Sequence, residues 1–311
     1  MNIAVLLGGP GSEREVSLRS GKAVAAALRK AGHTVSEHDV QDRDFTLPPD
    51  IDIAFNLIHG TFGEDGQLQS ILKERGIPFT GDPAPAHRLA FDKILSKRAF
   101  VAAGVPTPEY EVVAPGKKPT LPLPLVVKAP CQGSSVGVYL CKTQQELDSA
   151  LTKVLDYTDE ILVERLVAGD ELTVGVVGDL ALPVILICPP KDGFYDFKNK
   201  YPWLNPGGQA DHFCPAPLSP EVTNKVQQVA LAAHKSLGLK VYSRVDVLLP
   251  TNAEPSVLEV NTVPGMTESS LLPEAAGVAG IPMAELCERI ISLSTAVHQL
   301  DGKEAYHGSA P

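Results

Sequence analysis

The chain has 311 residues, a formal net charge of −10, 44% hydrophobic and 21% charged residues. That length accommodates two or three domains, and the composition is that of a globular protein. The acidic balance excludes a nucleic-acid binder held by phosphate contacts. The five cysteines are odd in number and form no C-x-x-C pair, which fits a reduced, cytoplasmic protein. No basic segment precedes an apolar core at the N-terminus, and no apolar run reaches the ~20 residues of a membrane helix.

The first element is NIAVLL (2–7), a continuous apolar run that reads as a buried parallel strand. The loop GGPGSEREVS follows, and a helix over 16–31 stops at Gly32. Strand, glycine turn and helix suggest a dinucleotide fingerprint. The spacing fails, however, because Arg14 stands where the third glycine belongs. No GKS or GKT is present, and Glu13 would oppose a phosphate. Ser12 and Glu15 offer a purely structural reading of the loop, since S-x-x-E is a capping box.

IDIAFNLIHG (51–60) reads as a second strand, GQLQSILKERG (66–76) as a helix and IPFTG (77–81) as a third short strand. Residues 1–86 thus form a small α/β unit with its loops at strand ends. GDPAPAH (81–87) reads as a linker and 88–103 as a helix. A Pro-bounded buried strand ends at Lys128, and the glycine/serine loop 132–137 runs into another strand. Helix 144–155 and strand 160–167 complete a central unit over 87–167.

From residue 168 the chain is strand-rich. The Pro- and Gly-rich stretch 191–217 has the length of a functional lid, and 221–238 is a helix ended by Gly238. VYSRVDVLL and SVLEVNTVPG read as two strands about a turn near Asn252. The unit spans 168–297, and 298–311 reads as a disordered tail.

The last two strands carry the chemistry. Arg244 and Asp246 lie two apart and share a strand face, as do Glu259 and Asn261. Pairing the strands brings two carboxylates and an amide oxygen together, a donor set suited to Mg²⁺ shared with nucleotide phosphates. The alternative is a salt bridge from Arg244 to Asp246 or Glu259. The cation is favoured because buried acids without a counter-charge are costly. Lys128, at the end of a buried strand, precedes APCQGSSVG, whose backbone N–H groups suit a phosphate.

In order along the chain stand LLGGPGSEREVSL, HGTFGEDGQLQ, FDK, VVKAPCQGSSVGV, VERLVAGDELTV, FYDFKNKY, SRVDV and LEVNTVPGMTESSL. Together they resemble the ATP-grasp superfamily, and within it the D-alanine–D-alanine ligases, over about residues 2–295. The resemblance implies an ATP-grasp fold of mixed α/β and α+β domains: an N-terminal Rossmann-like domain, a central domain and a C-terminal α+β domain. ATP would lie between the last two. It implies ATP-dependent joining of two D-alanines through a D-alanyl phosphate, for peptidoglycan precursors. The cofactors implied are ATP and two Mg²⁺ ions, with Mn²⁺ a substitute. A homodimer is implied, with neither a nucleic-acid nor a membrane partner.

Site residues follow from the same resemblance. Lys93 and Lys128 match phosphate contacts, Glu164 to Val167 the adenine hinge, Glu171 the ribose contact, and Phe194 an aromatic near adenine. Asp246, Glu259 and Asn261 match the Mg²⁺ ligands. Glu13 matches the carboxylate that holds the ammonium of the first D-alanine, so the opening loop would hold an amino acid. His59 matches a residue near that substrate, and Lys200 and Ser270 match groups binding the second carboxylate. Arg244 and the Gly265 N–H match oxyanion donors. Ser134 and Tyr201 match partners linking Glu13 to flap and lid. The KNKY lid motif resembles the dipeptide-forming type, which points to a D-alanine amine as nucleophile, with D-serine or D-lactate as alternative acceptors. KAPCQGSS and the long lid after Tyr201 depart from the family pattern.

Overall fold

The computed structural model describes residues 1–133, 135–188, 211–251 and 254–307. The described strands form three sheets.

The first sheet is parallel, with β1 (Asn2–Gly8) between β2 (Thr34–Val40) and β3 (Ile53–Asn56). Ile3 to Gly8 are buried without a break, as the continuous apolar run requires. The polar stretch TVSEHDV carries no apolar alternation. It nevertheless pairs along its whole length with β1 as an edge strand, with only Val40 buried. IPFTG, expected as a strand, contributes one parallel bridge, Phe79 to Ala54.

Helix α1 (Arg14–Lys30) packs over this sheet through Val16, Ser17, Ser20, Gly21, Val24, Ala25 and Leu28, a stripe at helical spacing. Its first residues overturn the capping-box reading. Glu13 occupies the N-cap without a side-chain cap bond, and Glu15 pairs with Arg19 at 3.0 Å.

Helix α2 (Gln67–Glu74) leads to α3 (Ala84–Phe91), which occupies most of the expected linker. Pro83 caps α3 and Pro85 sits in its first turn, where a missing N–H costs nothing. The single helix expected over 88–103 is broken at Asp92. That carboxylate accepts from the N–H groups of Ile94 and Leu95 and starts α4 (Lys93–Ala102).

The second sheet is antiparallel, ordered β4 (Tyr110–Val113), β7 (Ile161–Arg165), β5 (Leu125–Lys128), β6 (Val138–Cys141). Helix α5 (Gln144–Lys153) covers one face, opened by a capping box between Thr143 and Glu146.

The third sheet is antiparallel: β8 (Asp170–Val177) with β9 (Leu180–Ala181) and β10 (Ile185–Cys188), then β11 (Asp211–Phe213), and on β8's other side β12 (Tyr242–Leu249) and β13 (Ser256–Asn261). One face packs on α6 (Pro220–Ser236). The other meets α7 (Leu271–Val278) and α8 (Met283–His307), and that core is continuous with Ile3, Val24 and Leu28 of the first unit. Asp82 fastens the two units by accepting from the backbone of Lys240 and Val241.

Helix α8 runs past residue 297 to His307, through most of the segment 298–311 expected as a tail. No Pro or β-branched run interrupts QLDGKEAYH. No described helix is long and apolar enough to cross a membrane.

Candidate active site

Strands β12 and β13 pair antiparallel with Arg244 opposite Asn261 and Asp246 opposite Glu259. Val245, Val247, Val257 and Val260 point the other way into the core, which fixes the register. Arg244 grips Asp246 bidentately, Nε to Oδ1 at 2.9 Å and Nη2 to Oδ2 at 2.8 Å. Thr173 Oγ1 donates to Asp246 Oδ1 at 2.7 Å, and Asn261 Nδ2 to Oδ2 at 3.1 Å. Glu259 Oε2 lies 3.3 Å from Lys93 Nζ, which also donates to the carbonyl of Gln132 at 2.7 Å. The salt bridge weighed in the sequence as an alternative to a cation is therefore present. Those four bonds take up the about four lone-pair sites of the Asp246 carboxylate, so a cation there would displace the Arg244 or Asn261 donor. Two carboxylates and an amide are hard oxygen donors that fit Mg²⁺. No cluster of three or more His, Cys, Asp or Glu suited to a metal occurs among the described residues.

Across the cleft, β7 places Glu164 beside β5, in register with Val126. Glu164 is buried between two lysines, Lys128 Nζ at 2.8 Å from Oε2 and Lys97 Nζ at 3.1 Å from Oε1. Burial pushes its carboxyl up, but the charges of Lys128 and Lys97 outweigh that and hold it below the usual range. Lys97 is fully buried on α4, and its ammonium is pushed down to about 8, by burial first, with Glu164 opposing. A cleft of about 1350 Å³ opens here, lined among others by Lys128, Glu164, Val167, Glu171, Asp246 and Glu259.

Beside it lies a small polar pocket of about 50 Å³, lined by Glu13, His59, Glu64, Arg244, Asn261 and Gly265 among others. Lys93, Gln132 and Glu259 line both spaces and form the wall between them. Glu13 Oε2 sits close over two glycines. A Cβ added to Gly60 would come within 2.7 Å of it, and one added to Gly133 within 2.9 Å. The two loops must therefore carry glycine for the carboxylate to reach the pocket.

His59 is buried, with Nδ1 2.7 Å from the carbonyl of Val263 and Nε2 3.2 Å from Ser20 Oγ. A carbonyl only accepts, so Nδ1 carries the proton. Ser20 Oγ accepts from the Met266 N–H and so donates to Nε2. Burial lowers the His59 pKa, and the ring is neutral. Glu64 accepts from the Gly60 N–H at 2.9 Å, and burial, with Glu13 adding, pushes its carboxyl up to about 8. Glu13 shares this pocket with the charged Lys93, Arg244 and Glu259.

Chain-wide comparisons agree with this arrangement. A family model described as D-ala D-ala ligase C-terminus matches residues 100–292, and one described as D-ala D-ala ligase N-terminus matches 36–82. The chain is 49% identical over 293 residues to a D-alanine–D-alanine ligase of Methylacidiphilum infernorum, covering 94% of this chain and 95% of that one. A second, from Desulforudis audaxviator, is 41% identical over 94% of this chain and 98% of its own length. The chain belongs to the D-alanine–D-alanine ligase family. The crystal structure of the D-alanine–D-alanine ligase from Bacillus anthracis matches with a TM-score of 0.83 at 30% identity, over 97% of this chain and 99% of that one. The same holds for that protein complexed with ATP. The fold is thus the ATP-grasp fold of this family.

Measured against the family pattern, most of the sequence-derived site residues converge. Lys93, Lys128, Glu164, Val167, Glu171, Asp246 and Glu259 face the cleft, and Glu13, His59, Arg244, Asn261 and Gly265 the pocket. Ser270 occupies the N-cap position of α7 without a side-chain cap bond, next to Gly265. Its Oγ accepts from the Thr267 N–H at 3.0 Å, and a Cβ on Gly265 would meet it at 2.8 Å. Ser134, Phe194, Lys200 and Tyr201 lie outside the described residues. The sequence reading missed Glu64, Lys97 and Thr173. Glu64 stands in the quoted HGTFGEDG motif, and its charge in a glycine-rich loop was the available signal. Lys97 lies one helical turn beyond Lys93, a spacing that marks one face.

Proposed function

We propose that the chain joins two D-alanines into D-alanyl-D-alanine at the expense of ATP, through a D-alanyl phosphate. The observation that carries this reading is the shared wall of Lys93, Gln132 and Glu259 between a nucleotide-sized cleft and an amino-acid-sized pocket. A carboxylate held in the pocket would face the terminal phosphate held in the cleft.

A carboxylate is a poor electrophile with a poor leaving group, so it must first be activated. The carboxylate oxygen of the first D-alanine attacks the γ-phosphorus, the bond to the β-bridging oxygen breaks, and ADP departs with that electron pair. The neutral amine of the second D-alanine then attacks the acyl carbon, the carbon–oxygen bond to phosphate breaks, and the nitrogen's surplus proton leaves with the inorganic phosphate. Glu13 would hold the first ammonium. Arg244 and the Gly265 N–H would meet the oxyanion as it forms. Lys93 and Lys128 would hold phosphate oxygens, with the 164–167 segment on adenine and Glu171 on ribose. Asp246, Glu259 and Asn261 would hold Mg²⁺, which when bound supplies charge neutralisation at the transferring phosphoryl group.

We assign Ser134 and Tyr201 to linking Glu13 with flap and lid, Lys200 and Ser270 to the second carboxylate, and Phe194 to the adenine. A cytoplasmic location is supported by five free cysteines. A homodimer rests on family membership alone.

The test is product analysis by mass spectrometry with ATP, Mg²⁺ and D-alanine, in competition with D-lactate and D-serine, and with L-alanine as control. D-alanyl-D-alanine as main product, dependent on ATP and absent with L-alanine, supports the reading. A mixed product carrying serine or lactate overturns the acceptor, and no ligation at all overturns the function.

A further inference from the structure

Among the described residues, Glu164 has two cationic neighbours of different kinds. Lys128 stands at the mouth of the cleft, and its side chain is 12% exposed. Lys97 is 0% exposed and reaches Glu164 from behind, on α4 one turn after Lys93. Lys97 is also fixed by a second bond. Its Nζ donates to Thr107 Oγ1 at 2.7 Å, and that hydroxyl spends its own proton on the carbonyl of Val257 in β13 at 2.8 Å. Next to it, the Pro106 carbonyl accepts from the Val257 N–H at 2.8 Å. Lys97 is thus anchored to the strand that carries Glu259, and the Tyr110 ring lies 5.6 Å from its ammonium.

This geometry matters when a nucleotide arrives. Lys128 can turn to a phosphate only by giving up Glu164. A buried carboxylate deprived of its sole counter-ion would take up a proton or resist the change. The fixed ammonium of Lys97 prevents that. We propose that Lys97 is a positioning residue: it keeps Glu164 ionised and in place while Lys128 transfers from Glu164 to the phosphates of ATP. This deepens the ATP-site reading and rests on it. Lys97 touches no substrate and acts through Glu164.

The test compares wild type with Lys97→Met, Lys97→Arg, Lys128→Met and Glu164→Gln in the full-length chain, using dissociation constants for ATP and for adenosine, and the KM values of ATP and D-alanine. Adenosine has no phosphate to draw Lys128 away. Lys97→Met should therefore weaken ATP by roughly tenfold or more while leaving adenosine within about twofold. The KM of D-alanine at saturating ATP should stay unchanged, and Lys97→Arg should restore ATP affinity. In a Glu164→Gln background there is no buried charge to support, so adding Lys97→Met should cost ATP affinity nothing further. That pair of variants decides the matter if Lys97→Met alone fails to fold. Equal weakening of ATP and adenosine, or full additivity with Glu164→Gln, overturns the proposal. If neither Lys128→Met nor Glu164→Gln alters ATP binding, the ATP-site reading itself has failed.

Discussion

Lys93 Nζ lies 3.3 Å from Glu259 Oε2, and this ion pair closes the wall between the large cleft and the small pocket. In the proposed reaction a cation at that wall would face both the phosphate that leaves ATP and the carboxylate that receives it. Replacing Lys93 with Met should lower kcat/KM for ATP by about 10²-fold, the usual loss for one electrostatic donor at a transferring group. Steady-state kinetics at saturating D-alanine read this directly, and the circular dichroism melt should hardly move.

Glu13 makes the second test. A glutamine there keeps the shape but removes the charge between Gly60 and Gly133. The KM for D-alanine at the first site should rise about 10- to 100-fold, the worth of one charge-assisted bond, with ATP affinity kept. An unchanged KM would return Glu13 to a helix-end role.

Two buried histidines set an acid limit on stability. Burial pushes both His87 and His234 down to about 4, from an ordinary value of 6.5. The Nε2 of each has no hydrogen-bond partner among the described residues. Below 6.5 the unfolded chain takes up protons that the folded chain refuses until about pH 4. Their contribution is complete above 6.5 and is lost as pH falls through that window. Each adds up to about 1.4 kcal/mol per pH unit to the slope. Urea melts between pH 7 and 4.5 should show the loss, and His234→Asn should flatten it in part.

Asn261 is the third member of the cation set. Removing its amide oxygen with Asn261→Ala should raise the Mg²⁺ concentration for half-maximal activity by about tenfold or more, with ATP in fixed excess. A chelator should abolish activity, and added Mg²⁺ should restore it.

The legible parts of this molecule are those in which one side-chain period decides the outcome. The continuous run of β1 and the two-residue spacing of Arg244 with Asp246 and of Glu259 with Asn261 mark the buried strand and the shared face of these four polar side chains. The edge strand β2 escaped because its polar residues face solvent, and backbone pairing with β1 holds it. α3 escaped because two prolines read as linker, although both stand where a helix tolerates them. Ser12 and Glu15 formed a cap in the sequence and none in the structure, since Glu13 takes the capping position. Lys97 was invisible for another reason. Its meaning comes from Glu164, 67 positions later, and no local pattern records that partnership.

The core that joins Ile3, Val24 and Leu28 to Leu286 and Ile290 has a consequence for how the protein is made. The first hundred residues leave the ribosome long before the helix that covers α1 exists. Until 283–297 emerge, the part of α1 that α8 covers stays open to solvent, and before that Ser20 waits for the Met266 N–H. The small pocket is therefore closed late, by residues about 250 positions after Glu13. A chain that stalls before α8 carries the ATP cleft's strands but leaves a sticky N-terminal face for chaperones to shield.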